Sequence, residues 1–186
     1  MTFPANAYVV LDIPSPFAKR VLAIRERQRD PFRWSLPAET TVSGSNGTGP
    51  IATDEDAVRV YRALDRIAAE TAPINASFGP VRRFEGSDVF YLSFVDEAPL
   101  RTLHERVAKS GLRFSPVPFA FDPHVTVRTR SPVSDADAAD LLATRVPGEF
   151  TLDTLSLYEL PPRTAPLSGF AVLLCLLHRA RLTGHA

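Results

Sequence analysis

The sequence is poor in several things at once: 186 residues hold one cysteine, one methionine and one tryptophan, and the formal net charge is zero. A lone Cys175 excludes an internal disulfide framework, and its place in the apolar run 171–177 reads as a small buried hydrophobe. With 21 basic and 21 acidic residues, no overall field draws the chain onto nucleic acid or an anionic membrane, so any nucleic-acid contact has to be local. Nearly all the basic residues are arginine, which suits bidentate phosphate recognition, although arginine-biased codon usage produces the same composition. The apolar run is far shorter than the roughly 20 residues needed to cross a bilayer, and the first residues carry no basic leader. A cytoplasmic, monomeric protein without a membrane segment is the expectation. Glycine-rich dinucleotide and triphosphate loops, paired Cys-x-x-Cys motifs and a nucleophile elbow are all missing, which removes support for the functions they serve. His104, His178 and His185 lack the spacing of a zinc site, and neither metal nor cofactor is expected.

What is present is a chain that is 45% hydrophobic, enough to bury a real core. A β-rich run over 7–13 is stopped by Pro14 and Pro16, and 17–29 reads as an amphipathic helix ended by Asp30-Pro31. A strand over 39–43 is closed by Gly44, Gly47, Gly49 and Pro50. Thr53-Asp54-Glu55-Asp56 then offers a cap and an acidic first turn to a helix carrying Val60, Tyr61, Leu64, Ile67 and Ala68. Strands over 74–84 and 88–95 are followed by a helix from Pro99 to Gly111, a strand over 119–130 and a helix over 134–144 opened by Ser134. Closing strands are predicted over 150–160 and 169–178.

Two segments invite comparison. Leu36-Pro37-Ala38-Glu39-Thr40-Thr41-Val42 and Phe121-Asp122-Pro123-His124-Val125-Thr126-Val127 share the pattern (Glu/His)-x-Thr-Val, 85 residues apart from Glu39 to His124. Each follows a proline-containing turn and opens a predicted strand, which suggests an internal repeat of one strand-helix unit. Side chains alternate along a strand, so His124, Thr126 and Arg128 are expected on one face, and Glu39, Thr41 and Ser43 on one face of the other strand.

The sequence resembles the 2H phosphoesterase superfamily, which contains the RNA 2',3'-cyclic phosphodiesterases and the so-called 2'-5' RNA ligases and is defined by two His-x-(Thr/Ser) motifs in two such halves. His124-Val125-Thr126 matches one motif, and Glu39-Thr40-Thr41 stands where the other histidine belongs. The resemblance implies an α+β fold of two pseudo-symmetric lobes, each an antiparallel sheet with outer helices, around a central cleft, with residues 1–186 forming a single bilobal domain. It implies a cofactor-free phosphoesterase in which paired histidines serve as base and acid across the phosphorus while hydroxyls bind phosphate oxygens. Carried over, His124 and Glu39 are the catalytic positions, and Thr126 and Thr41 the phosphate-binding hydroxyls. Arg128 and Ser43 are further candidates on the same faces, with a surface role as the ordinary alternative, and Tyr91, Tyr158 and Trp34 are candidates for stacking a base. The ligand is then an RNA end or a small nucleotide.

Glu39 departs from the family pattern. An isolated glutamate has a pKa of about 4.3 against about 6.5 for histidine, so at neutral pH it accepts a proton but is a poor donor. A carboxylate about 4 Å from a phosphate charge opposes binding by up to about 4 kcal/mol at an effective dielectric near 20. Impaired or altered activity is therefore expected: weakened activity of the family's kind, a one-sided mechanism with Glu39 as base and His124 as acid, or a changed ligand. The rival reading is a non-catalytic nucleotide- or RNA-binding module on the same fold.

Overall fold

The computed structural model describes residues 2–160 and 174–185, apart from the side chains of Pro31 and Trp34. Among the described residues, eight strands and five helices follow in chain order: β1 (Asn6–Asp12), α1 (Phe17–Arg27), α2 (Pro31–Trp34), β2 (Glu39–Ser43), α3 (Ala57–Ala69), β3 (Ile74–Arg83), β4 (Phe90–Phe94), α4 (Ala98–Ala108), β5 (Val125–Arg128), α5 (Asp135–Ala143), β6 (Glu149–Leu152), β7 (Thr154–Leu160) and β8 (Cys175–Arg181). They form two four-stranded sheets, ordered β2-β1-β7-β8 and β5-β4-β3-β6. All of the pairings are antiparallel. The two lobes are pseudo-symmetric, and β2 and β5 are the corresponding edge strands, each carrying one of the two related motifs. These edges approach one another between the lobes and line the central cleft.

Local sequence explains most of the elements. The Asp56 carboxylate accepts from the Arg59 N–H and caps α3, whose Val60, Ala63, Leu64, Ile67 and Ala68 form a buried stripe. Ser134 caps α5 by accepting from the Asp137 N–H, and Asp30 caps the single turn of α2. In each lobe one sheet face supplies core residues, and the buried apolar side chains of both lobes join in one cluster that includes Leu11, Leu64, Phe90 and Leu155.

The two halves are tied crosswise. Helix α1 packs against β5 of the other lobe, and the Arg25 Nε donates to the Thr126 carbonyl at 3.0 Å. Helix α4 packs correspondingly against β2, and the His104 Nδ1 bonds the Val42 carbonyl at 2.7 Å while its ring stacks on Phe121. Each motif strand is thus held at its backbone by a side chain from the opposite half.

Three expectations are corrected. The strand predicted over 150–160 is two strands: Asp153 separates β6 from β7, and these belong to different sheets. The strand predicted over 119–130 is confined to β5, because Pro118 and Pro123 lack the N–H that a ladder needs. Cys175 is exposed, since β8 is an edge strand whose outward residues meet solvent. The predicted strand 169–178 falls partly outside the described residues, with 175–178 opening β8.

Candidate active site

The cleft face of the first lobe follows from the register of β1, β2 and β7. Glu39 pairs with Asp12 and Thr41 with Val10, while Val10 also faces Ser156 and Tyr8 faces Tyr158. Directly opposed residues share a face, so Glu39, Thr41, Tyr8, Val10, Asp12, Ser156 and Tyr158 lie together. A cleft of about 160 Å³ opens over part of this face, lined by Glu39, Thr41, Tyr8 and Tyr158 with Phe32, Arg33 and Leu36 from the segment around α2. Glu39 is half-buried and accepts from the Thr41 hydroxyl at 3.3 Å. Beside it, Asp12 accepts from the Ser156 hydroxyl at 2.8 Å and the Arg179 Nε at 3.2 Å, and Arg179 reaches on to the Tyr158 hydroxyl at 3.3 Å. Burial pushes the Asp12 carboxyl upward from the ordinary range, against the opposing pull of Ser156 and Arg179.

On the other lobe His124 precedes β5. Its Nδ1 lies 2.6 Å from the Asp122 carbonyl, which is an acceptor only, so Nδ1 carries the proton and Nε2 remains for chemistry. Tyr91 and Phe84 enclose the ring, each with its centroid 5.1 Å from that of the imidazole. This burial holds the His124 pKa below its usual value, while the Asp122 carbonyl and the Glu39 and Asp122 carboxylates pull it the other way. Strands β2 and β5 approach one another, and the Glu39 carboxylate is among the charges that favour the His124 imidazolium. Thr126 pairs with Tyr91 on the same face and is 8% exposed.

Arg128 and Ser43 are turned away from that cleft, both for the same reason. The pairing of β5 with β4 shifts so that Thr126 opposes Tyr91 but Arg128 opposes the core residue Phe90. The pairing of β2 with β1 shifts likewise, setting Thr41 opposite Val10 but Ser43 opposite the core residue Val9. A β-bulge after the motif threonine breaks the alternation in both strands. Arg128 consequently donates to the carbonyls of Arg130, Gln28 and Pro132 and to the Gln28 side chain, as a clamp between β5 and the end of α1. Ser43 donates to the Gly49 carbonyl at 2.6 Å inside its turn.

Of the stacking candidates, Tyr158 lines the cleft and Tyr91 packs on His124 and Phe84; the Trp34 side chain lies outside the described ones. Neither Arg33, which lines the cleft, nor the buried Arg25 is legible as a site residue in the sequence. Arg25 is fully buried and donates from Nη1 to the carbonyls of Arg33, Leu36 and Pro37 besides its bond to Thr126, and burial pushes its guanidinium down to about 10. Burial likewise lowers Arg33, with Glu39 as the strongest opposing influence. In the sequence Arg25 is one of several arginines on an amphipathic helix, and no local pattern marks the one that turns inward. Among the described residues no helix is long and apolar enough to cross a membrane.

Two motif strands of pseudo-symmetric lobes approach one another, one bearing Thr126 after His124 and the other Glu39 and Thr41. A family model described as the 2'-5' RNA ligase superfamily matches residues 46–161, more than half of the chain. The chain belongs to the 2'-5' RNA ligase superfamily. The matched segment contains His124 and Thr126 and begins after Glu39. Among solved structures, TT0787 of Thermus thermophilus is 18% identical with a TM-score of 0.66, covering 97% of this chain and 100% of that one. E. coli LigT complexed with ATP is 16% identical with a TM-score of 0.62, and LigT complexed with 3'-AMP is 17% identical with a TM-score of 0.59; each covers 96% of this chain and 98% of that chain. At these identities the likeness concerns the fold. No curated protein sequence matches this one.

Proposed function

We propose that this member of the superfamily acts as one bilobal unit on phosphodiesters of RNA ends or small nucleotides, of the 2',3'-cyclic or 2'-5' type, with activity altered by Glu39. The observation that supports the reading is the His124 imidazole, anchored through Nδ1 on the Asp122 carbonyl so that Nε2 is left for chemistry, at the head of the strand that approaches β2. In hydrolysis of a cyclic phosphate, Glu39 takes a proton from water as its oxygen bonds phosphorus. The bond from phosphorus to the leaving ribose oxygen breaks, and the imidazolium Nε2–H supplies that oxygen with a proton. Thr41 and Thr126 donate to the phosphate oxygens.

The same geometry accounts for altered activity. Burial favours neutral His124 in the free protein, so the acid form has to be drawn up by the bound phosphate charge. Turnover should therefore strengthen as pH falls toward the lowered His124 value.

Hydrolysis of a 2',3'-cyclic nucleotide by wild type, Glu39→His and His124→Ala tests the proposal. Turnover that disappears in His124→Ala supports the enzyme. An inert wild type with activity gained in Glu39→His supports a binding module on a degenerate site. Turnover indifferent to both changes removes the cleft from the chemistry.

A further inference from the structure

The wall of the cleft carries a cation that neither motif provides. Arg33 lines the cavity with its guanidinium over the Phe32 ring at 5.2 Å. Its backbone is tied on both sides: the Asp30 carboxylate accepts from its N–H at 3.2 Å, and its carbonyl accepts from the Arg25 Nη1 at 3.3 Å. Among the described residues its side chain has no hydrogen-bond partner. Nε is buried and makes no hydrogen bond, and among the described residues Arg33 forms no ion pair, although Glu39 and Asp30 are the opposite charges that influence it. Asp30 is occupied elsewhere, taking donors from Phe32, Arg33, Thr129 and Arg130. A second guanidinium nitrogen, the Nη2 of Arg25, is also buried without a partner, and Glu39 is the strongest charge acting on Arg25 too.

The half-buried Arg33, through its buried Nε, and the fully buried Arg25, through Nη2, thus each present an unsatisfied donor, and neither closes on the Glu39 carboxylate. Donors of this kind need an acceptor, and a small anion with several oxygens is the acceptor a planar guanidinium fits best. The carboxylate also makes such a cation necessary, because it opposes any anion brought to the Thr41 hydroxyl.

We propose that Arg33 is the anion-binding residue of this cleft, taking up the phosphate group of a nucleotide beside Thr41 and offsetting the charge of Glu39. The inference rests on reading the cleft as a phosphoester site, and it assigns the positive charge there to a residue outside both motifs. Arg25 is a positioning residue: it fixes the carbonyl of Arg33 and the backbone of Thr126 in one side chain, and so sets the distance between the cation and the strand that carries the second hydroxyl. The aromatic walls supplied by Tyr8, Phe32 and Tyr158 suit the nucleoside part of the same ligand.

The test is calorimetric binding of adenosine 3'-monophosphate and of adenosine to the full chain, in wild type, Arg33→Met and Arg33→Lys. Methionine keeps the length and apolar contact of the stem; where it lowers the thermal midpoint, Arg33→Gln replaces it. The monophosphate is expected to bind about 10- to 100-fold more weakly to Arg33→Met, as for loss of a charge-assisted contact, with Arg33→Lys intermediate and adenosine unchanged. Equal monophosphate affinity in wild type and Arg33→Met, an equal loss for adenosine, or no monophosphate binding by wild type overturns the assignment. Arg33-dependent monophosphate binding without cyclic-phosphate turnover removes the enzymatic reading and leaves the anion site. Turnover by Arg33→Met at unchanged KM does the reverse.

Discussion

Asp30 is where the fold and the cleft depend on one carboxylate. It is 2% exposed, between the end of α1 and α2. One oxygen caps α2 through the N–H groups of Phe32 and Arg33 at 3.2 Å each, and the other accepts from the Thr129 N–H at 2.6 Å, its hydroxyl at 2.9 Å and the Arg130 N–H at 3.0 Å. Asp30→Ala removes a helix cap, about 1 kcal/mol, and strands donors previously bonded to a charge. Each such bond contributes about 1.5–3 kcal/mol, but three share one oxygen and do not add, so a total loss of about 4 kcal/mol is expected. Asp30→Asn keeps the shape and one acceptor oxygen and should cost about 2 kcal/mol. Burial raises the Asp30 pKa, yet the bonds from Thr129, Arg33 and Arg130 outweigh it, so the net shift is downward. The folded protein therefore binds fewer protons here than the unfolded chain. The stabilisation is complete above the unfolded carboxyl value of about 3.9 and is lost as pH falls through the lower folded value. Urea unfolding followed by circular dichroism at pH 7 and across the acid range measures both effects. Wild type and Asp30→Asn should differ at neutral pH and converge in acid. Coincident midpoints at pH 7, or a gap that does not narrow, would show that the carboxylate is not the tie described.

Three further outcomes are expected. In an NMR titration the His124 ring should titrate below its ordinary value, and lower still in Glu39→Gln, because the carboxylate that favours the imidazolium is gone; an upward move refutes the shared cleft. Arg128→Leu should destabilise the fold by about 3 kcal/mol, since it leaves four acceptors without their donor, while nucleotide KM stays unchanged in the folded fraction. A raised KM without loss of stability would return Arg128 to the phosphate. Gly49 has φ +88°, and a Cβ there would overlap the Ser115 carbonyl oxygen, so Gly49→Ala should lower stability by about 1–3 kcal/mol in thermal unfolding.

The sequence carries the element order because most elements are specified locally. The span of β2 is the one its β-branched residues predict, and α1 starts at Phe17 as its amphipathic pattern requires. The pairing of the Glu39 and His124 segments is visible because a repeat is a comparison within the chain. Long-range geometry is not visible. Nothing in 150–160 announces that Asp153 sends the chain from one sheet to the other, since both flanking strands are apolar and β-prone. The rule of alternation puts Arg128 and Ser43 in the cleft, and the bulges that overturn it are set by register against β4 and β1, which no single strand encodes. Arg25 and Arg33 escape notice because their significance lies in what surrounds them after folding.

The sheet order has a consequence for how the molecule comes into being. The lobe built from β3, β4, β5 and β6 is one continuous stretch of chain, Ile74 to Leu152, whereas β1 is completed on one side by β2 and on the other by β7, whose first residue is Thr154. A ribosome delivering this chain from its N-terminus exposes β1 long before its second neighbour exists. Strand β1 has to wait for β7, with α1 already able to dock on the finished second lobe. Glu39 is synthesised well before His124, yet the lobe that holds His124 is the first that can close.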